Sequence, residues 1–289
     1  MDIEVLGALS VRENGASITP TAPKPRQVLA LLALYADRVV PVATLMEELW
    51  GDNPPRSGRT TLQTYVLQLR DLIATALENE PDPAQGSEEK GERRAAKDVL
   101  VTMPGGYLLA AGGGRSDVRD FEKLAGAGYR AMDAGDHAGA ARQLRAALAL
   151  WSGTALADVH AGPQLEMEIK RLDESRLCAL EQCIEAELAL GRYREVLSEL
   201  TVLVSRYHTH ESLHAQFMLA LYHSGRRSEA LEVYGRLRAT LVRDLGLEPS
   251  VGLRRLQQSI LAASDEPAAK APGAARAART AKERLAPLH

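Results

Sequence analysis

Leu62, Val66, Leu69 and Ile73 recur at i, i+4, i+7 and i+11 within the stretch from Pro54 to Ala74, PPRSGRTTLQTYVLQLRDLIA. That spacing is the apolar stripe of one helix, and it forces the remaining side chains to face elsewhere. Thr61, Thr64 and Gln68 share a second arc, while Arg56, Arg59 and Arg70 stand at the entrance and flank with no acidic neighbour before Asp71. A rod with a buried stripe on one side and amides, hydroxyls and guanidiniums on the other has the chemistry to enter a major groove. Glutamine bonds adenine bidentately, threonine offers a hydroxyl and a methyl, and arginine grips phosphate or guanine. The same pattern describes an ordinary amphipathic surface helix, so the surroundings have to decide.

Upstream, Ile3-Glu4-Val5-Leu6-Gly7 alternates weakly, Glu13-Asn14-Gly15 supplies a hairpin turn, and Ile18-Thr19 suits a short returning strand. Pro20, Pro23 and Pro25 precede a helix expected over 26–36, since proline belongs at a helix entrance. Val39-Val40-Pro41 breaks that helix, a second short one spans Val42 to Trp50 and ends at Gly51, and Asp52-Asn53-Pro54-Pro55 is a loop leading into the third. After a Pro-, Gly- and charge-rich insert at 78–98, read as mobile, Val99-Leu100-Val101-Thr102, Met103-Pro104-Gly105-Gly106 and Tyr107-Leu108-Leu109 spell strand, turn, strand. A sheet, three helices and a closing hairpin make a winged helix-turn-helix over 1–111, and this order of elements is what argues for DNA binding.

Beyond a joint at 112–116 the pattern becomes wholly helical. Gly191-Arg-Tyr-Arg-Glu-Val-Leu and Gly225-Arg-Arg-Ser-Glu-Ala-Leu share Gly, Arg, Glu and Leu in register, 34 residues apart, with a looser copy at Gly135. Thirty-four residues is the tetratricopeptide period, so 117–263 is expected to form an all-α solenoid with a concave partner-binding face. The fold class is therefore mainly α with a small β part, and 264–289, rich in Ala, Pro, Lys and Arg, reads as a disordered tail.

The formal net charge is −3, and residues 1–77 carry seven basic against eight acidic side chains. A DNA surface must then be local, and affinity must be helped by tandem sites, self-association or RNA polymerase. Cys178 and Cys183 fit no metal spacing and suggest a reducing cytosol. No signal peptide or membrane-length apolar run is visible, so a cytoplasmic protein without membrane contact is expected. His208, His210 and His214 crowd together without an acidic or cysteine ligand at zinc-like spacing, and no phosphate loop or dinucleotide fingerprint occurs. We therefore expect no metal, no cofactor and no enzymatic activity. A rival reading is a scaffold that acts through its helical repeats without touching DNA.

The run from Pro23 to Leu32, the loop from Glu48 to Ser57, Thr61-Leu-Gln-Thr-Tyr-Val-Leu-Gln-Leu-Arg and Pro104-Gly-Gly-Tyr-Leu-Leu closely resemble the Streptomyces antibiotic regulatory protein family. So do Ala147-Leu-Ala-Leu-Trp-Ser-Gly, the run from Leu213 to Arg226 and Asp244-Leu-Gly-Leu-Glu-Pro, which fall in that family's bacterial transcriptional activation domain. The similarity covers about Ile3 to Leu261, and the departure is the long insert. The resemblance implies an activator of an antibiotic or other secondary-metabolite gene cluster. Such an activator binds direct repeats near promoters as side-by-side homodimers and recruits RNA polymerase with its principal sigma factor. Carried onto this chain, Thr61, Thr64, Tyr65 and Gln68 would read bases, and Arg56, Arg59 and Arg70, joined by Lys24 and Arg26, would hold phosphates. Gly105 and Gly106 would form the wing tip, and Asp52, Asn53 and Arg56 would touch polymerase.

Overall fold

The computed structural model describes residues 1–78 and 94–262. Most of the insert expected at 78–98 and the tail expected at 264–289 lie outside the described residues. The chain folds into two compact units, residues 1–126 with 146–178, and residues 127–145 with the chain from 179 onward. No helix among the described residues is long and apolar enough to cross a membrane.

In the first unit β1 (Asp2–Glu4), β2 (Ser10–Glu13) and β3 (Ala16–Ser17) form an antiparallel sheet in the order β1-β2-β3. Asn14 and Gly15, both at positive φ, turn the β2–β3 hairpin. Ile3 pairs with Val11, which brings two buried side chains onto the same face. Helix α1 (Pro23–Leu34) begins earlier than the sequence suggested because its prolines occupy the first turn, where a missing N–H costs nothing. It is buried almost all round, from Pro25 to Ala33, and forms the central rod of this unit.

Val39–Pro41 is not a mere break between helices: it forms strand β4. Three residues are too few to show a period, and the strand exists because it pairs with a later one. Helix α2 (Val42–Trp50) follows, then α3 (Gly58–Glu78), a helical turn α4 (Ala96–Val99), β5 (Leu100–Met103) and β6 (Gly106–Leu109). The second sheet has the order β4-β6-β5, with Val40 opposite Tyr107 and Pro41 opposite Gly106. A methyl group on Gly106 would collide with the Val40 carbonyl, so glycine here is what permits β4 and β6 to close. Residues 94–98, the end of the expected insert, are tied down: Arg94 bonds the Glu13 carboxylate at 3.1 Å and the Ala110 carbonyl at 2.8 Å. Val11, Ile18, Leu29, Leu31, Leu45, Leu62, Leu69, Ile73, Leu100 and Leu109 meet in one core.

Helices α5 (Asp117–Asp133), α6 (His137–Leu148), α7 (Pro163–Ala189), α8 (Leu197–Arg206), α9 (Glu211–His223), α10 (Arg227–Leu245) and α11 (Val251–Ala262) complete the chain. The architecture is thus mainly helical, an N-terminal winged helix followed by a helical domain. In the second unit α8 packs on α9, α9 on α10, and α11 on both of the latter. Gly191 and Gly225, at φ +77° and +81°, end α7 and α9 in the same way. The residue after each glycine donates its N–H to a carbonyl five residues back, Arg192 to Glu187 and Arg226 to Leu221. That closure requires a left-handed residue, which glycine supplies without strain.

His214 on α9 is buried, with Nδ1 3.0 Å from the His210 carbonyl. Burial holds its pKa below the ordinary value, and His210, Arg236 and His208 push the same way. The folded state therefore prefers the neutral ring, and the unfolded chain takes up the proton first, near pH 6.5. Stability is expected to fall as pH drops below about 6.5 towards the depressed folded value. Urea midpoints measured from pH 7.5 to 5 should show this slope, and His214→Gln should flatten it; equal slopes would remove His214 as the cause.

Candidate nucleic-acid interface

Helix α3 is set on the core by its inner stripe, Leu62, Val66, Leu69, Ile73 and Ala76, all buried. At about 100° per residue the opposite arc carries Thr60, Gln63, Thr64, Leu67, Gln68 and Asp71, and all six are exposed. Thr64 and Gln68 on this arc were expected from the sequence, whereas Thr60, Gln63 and Leu67 were not. The signal was present, since Thr60, Thr64, Leu67 and Asp71 repeat the i, i+4, i+7, i+11 spacing of the core stripe on the other side. Thr61 is half-buried at the margin, and its hydroxyl donates to the Ser57 carbonyl at 3.1 Å. The Thr64 hydroxyl donates to the Thr60 carbonyl, also at 3.1 Å. Both threonines therefore offer the solvent oxygen lone pairs and methyl groups rather than free donors. Tyr65, expected among the reading residues, is half-buried and packs against the core.

The N-terminus of α3 is open. Gly58 lets it close against α2, because a Cβ there would meet the Met46 methyl at 2.5 Å. No acidic side chain lies in its first turn. Arg56 and Arg59 are exposed, and among the described residues neither has an ion-pair partner. The Gly58 and Thr61 N–H groups donate to the Pro55 and Ser57 carbonyls at 2.8 and 2.9 Å, and the helix start, with two exposed guanidiniums beside it, forms a positive end suited to an anionic oxygen.

The other cations have internal partners. The Lys24 ammonium donates to the Leu49 carbonyl at 2.6 Å, at the negative end of α2, and to Gln27 at 3.2 Å. Arg26 pairs with Asp158, whose second oxygen accepts from the Leu9 N–H at 2.8 Å. Arg70 donates twice to the Leu100 carbonyl, at 3.0 and 2.7 Å, and once to the Thr102 hydroxyl at 2.7 Å. It fastens β5 to α3 and so sets where the β5–β6 hairpin lies beside the helix. Gly105 is exposed in the hairpin turn at φ +79°, and its carbonyl accepts from the Val42 N–H at 2.9 Å. Gly106, expected at the same tip, is buried against β4. Lys97 on α4 is an exposed cation that the sequence argument did not single out.

The loop at 51–57 joins α2 to α3 and displays Asp52, Asn53 and Arg56 to solvent. Beneath it α2 is anchored by a buried carboxylate. Glu48, 2% exposed, accepts from Gln27 Nε2 at 2.7 Å and from the N–H groups of Gly162, Gln164 and Leu165 at 2.6, 2.9 and 2.9 Å. Gly162 immediately precedes α7 and Gln164 and Leu165 lie in its first turn, with Pro163 between them lacking an N–H to satisfy. A side chain from one helix thus caps another, where the helix dipole favours a negative charge.

Residues 116–261 match the family described as bacterial transcriptional activator domain, and residues 17–91 match the family described as transcriptional regulatory protein, C terminal. The chain is 51% identical over 263 residues to the regulatory protein DnrI of Streptomyces peucetius, covering 91% of this chain and 93% of that one. It is 36% identical over 260 residues to the regulatory protein AfsR of Streptomyces coelicolor, covering 90% of this chain but 24% of AfsR. Among solved structures, Mycobacterium tuberculosis EmbR in complex with a low-affinity phosphopeptide superposes with a TM-score of 0.80 at 32% identity, covering 98% of this chain and 68% of that one.

Proposed function

This chain belongs to the Streptomyces antibiotic regulatory protein family of DNA-binding transcriptional activators, and on that premise we propose that it switches on a secondary-metabolite gene cluster by binding direct repeats beside promoters and recruiting RNA polymerase with its principal sigma factor. Protomers lie side by side on the repeats, which supplies the affinity that one near-neutral winged helix lacks. Helix α3 enters the major groove, where Thr64 and Gln68 read base edges from its outward arc and Thr61 reaches in from the margin. Arg56 and Arg59 bind phosphates at the start of the helix. Lys24, Arg26 and Arg70 act indirectly, by holding α1, α2 and the β5–β6 hairpin in place around α3. The Gly105 turn lies against the flanking backbone, and Asp52, Asn53 and Arg56 present the 51–57 loop to polymerase.

The observation that carries this reading is the outward arc of α3, an exposed row of amides and hydroxyl-bearing side chains with two exposed arginines at its head. Gln68→Ala is expected to weaken specific binding by about 1–3 kcal/mol and to relax preference at one base pair. A gel-shift series over single-base variants of a footprinted promoter reads both effects, and unchanged selectivity would take Gln68 out of the reading set. Footprints showing no protected repeats, alongside capture of a protein partner, would favour the scaffold reading that the near balance of charge in residues 1–77 allows.

A further inference from the structure

Leu67 is 57% exposed in the middle of the α3 arc. One turn back on the helix are Gln63 and Thr64, and one turn on are Arg70 and Asp71, with Gln68 beside it. A single exposed leucine on a helix is common and by itself means nothing. Its neighbours make this one informative. Both carboxamides, Gln63 and Gln68, are exposed, and the Thr64 hydroxyl hydrogen is taken by the Thr60 carbonyl, which leaves the Thr64 methyl as its outward apolar group. The face therefore combines two amides able to bond adenine N6 and N7 with a continuous aliphatic spot between them. In the major groove thymine alone carries a methyl group, at C5. An isobutyl group held between adenine-reading amides is complementary to that methyl and to nothing on a G·C pair.

We propose that Leu67 is a specificity-determining residue that packs on the C5-methyl group of a thymine in each bound repeat. The proposal rests on the major-groove reading of α3 given above and adds the base that the centre of the arc selects. Because the side chain is more than half exposed, its truncation is expected to leave the fold intact, which thermal melts of the Leu67→Ala protein check.

The test uses the full chain to enrich duplexes from a randomised library, then remakes the enriched duplex with 2′-deoxyuridine in place of each thymine in turn. For the wild type, one thymine per repeat is expected to lose about fourfold in affinity on removal of its methyl group, the effect of burying one such group. In Leu67→Ala that same replacement is expected to have no effect, while penalties at all other positions stay as in the wild type. Equal deoxyuridine penalties in both proteins at every position would overturn the proposal. So would a Leu67→Ala protein that binds every duplex equally less well, which would place Leu67 in a contact between protomers. Failure to enrich any sequence with the wild type would instead bring down the DNA reading itself, a result distinct from enrichment without a methyl effect.

Discussion

Alanine in place of Glu48 is expected to lower the unfolding free energy of the unit that carries α3 by about 3–5 kcal/mol, because four N–H donors lose their acceptor in a nearly water-free site and each such loss costs about 1–3 kcal/mol before water relieves part of it. The donors are Gln27 Nε2 and the backbone amides of Gly162, Gln164 and Leu165 at the entrance of α7. Glu48→Gln should cost less, since its carbonyl oxygen still accepts, but its amide hydrogens then face backbone N–H groups. Trp50 and Trp151 both lie in this unit, so urea unfolding followed by tryptophan fluorescence reports on it directly. Midpoints unchanged for both variants would show that the carboxylate contributes nothing to holding α2. The consequence reaches function, because α2 ends at the loop that leads into α3, and an unanchored α2 leaves the start of α3 without its support.

The second large effect concerns salt. The double variant Arg56→Ala/Arg59→Ala removes two guanidiniums per protomer, hence four from the side-by-side pair proposed above. At about 0.9 counterions released per neutralised phosphate, the slope of log affinity against log salt should fall by about 3–4. Between 50 and 200 mM salt that flattens the affinity loss by roughly a hundredfold. Base preference should stay unchanged, since phosphate contacts carry no sequence information. Arg26→Ala makes a useful contrast: its partner is Asp158, so it should reduce stability and leave the salt slope nearly as it was. A salt slope unaltered in the double variant would assign the phosphates to other cations, of which exposed Lys97 is one.

The arginines illustrate how far the chain could be read in advance. Arg56, Arg59 and Arg70 look alike in sequence, three cations around one amphipathic helix. Among the described residues two of them have no ion-pair partner, and one is fixed to the Leu100 carbonyl, 30 residues away across the insert. Lys24 and Arg26, also alike in sequence, are both fixed, to Leu49 and to Asp158. Glu48 sits in an Met-Glu-Glu-Leu run that resembles an exposed acidic stretch, yet it is buried because its partners lie 114 to 117 residues further on. β4 escaped notice for the same reason, since its three residues become a strand through Tyr107 and Leu108.

Apart from β4, the order of strands and helices in the first unit, the Asn14-Gly15 hairpin, the buried stripe of α3 and the helix stops at Gly191 and Gly225 were legible in the sequence alone. Each is a local matter, settled by side-chain period or by a residue's own φ preference within a few positions. Which charges stay free for a phosphate, which glycine of the hairpin is exposed, and which carboxylate caps a distant helix were decided by the tertiary structure. Those outcomes depend on groups brought together from more than 20 residues away, and neither periodicity nor propensity carries information over such separations.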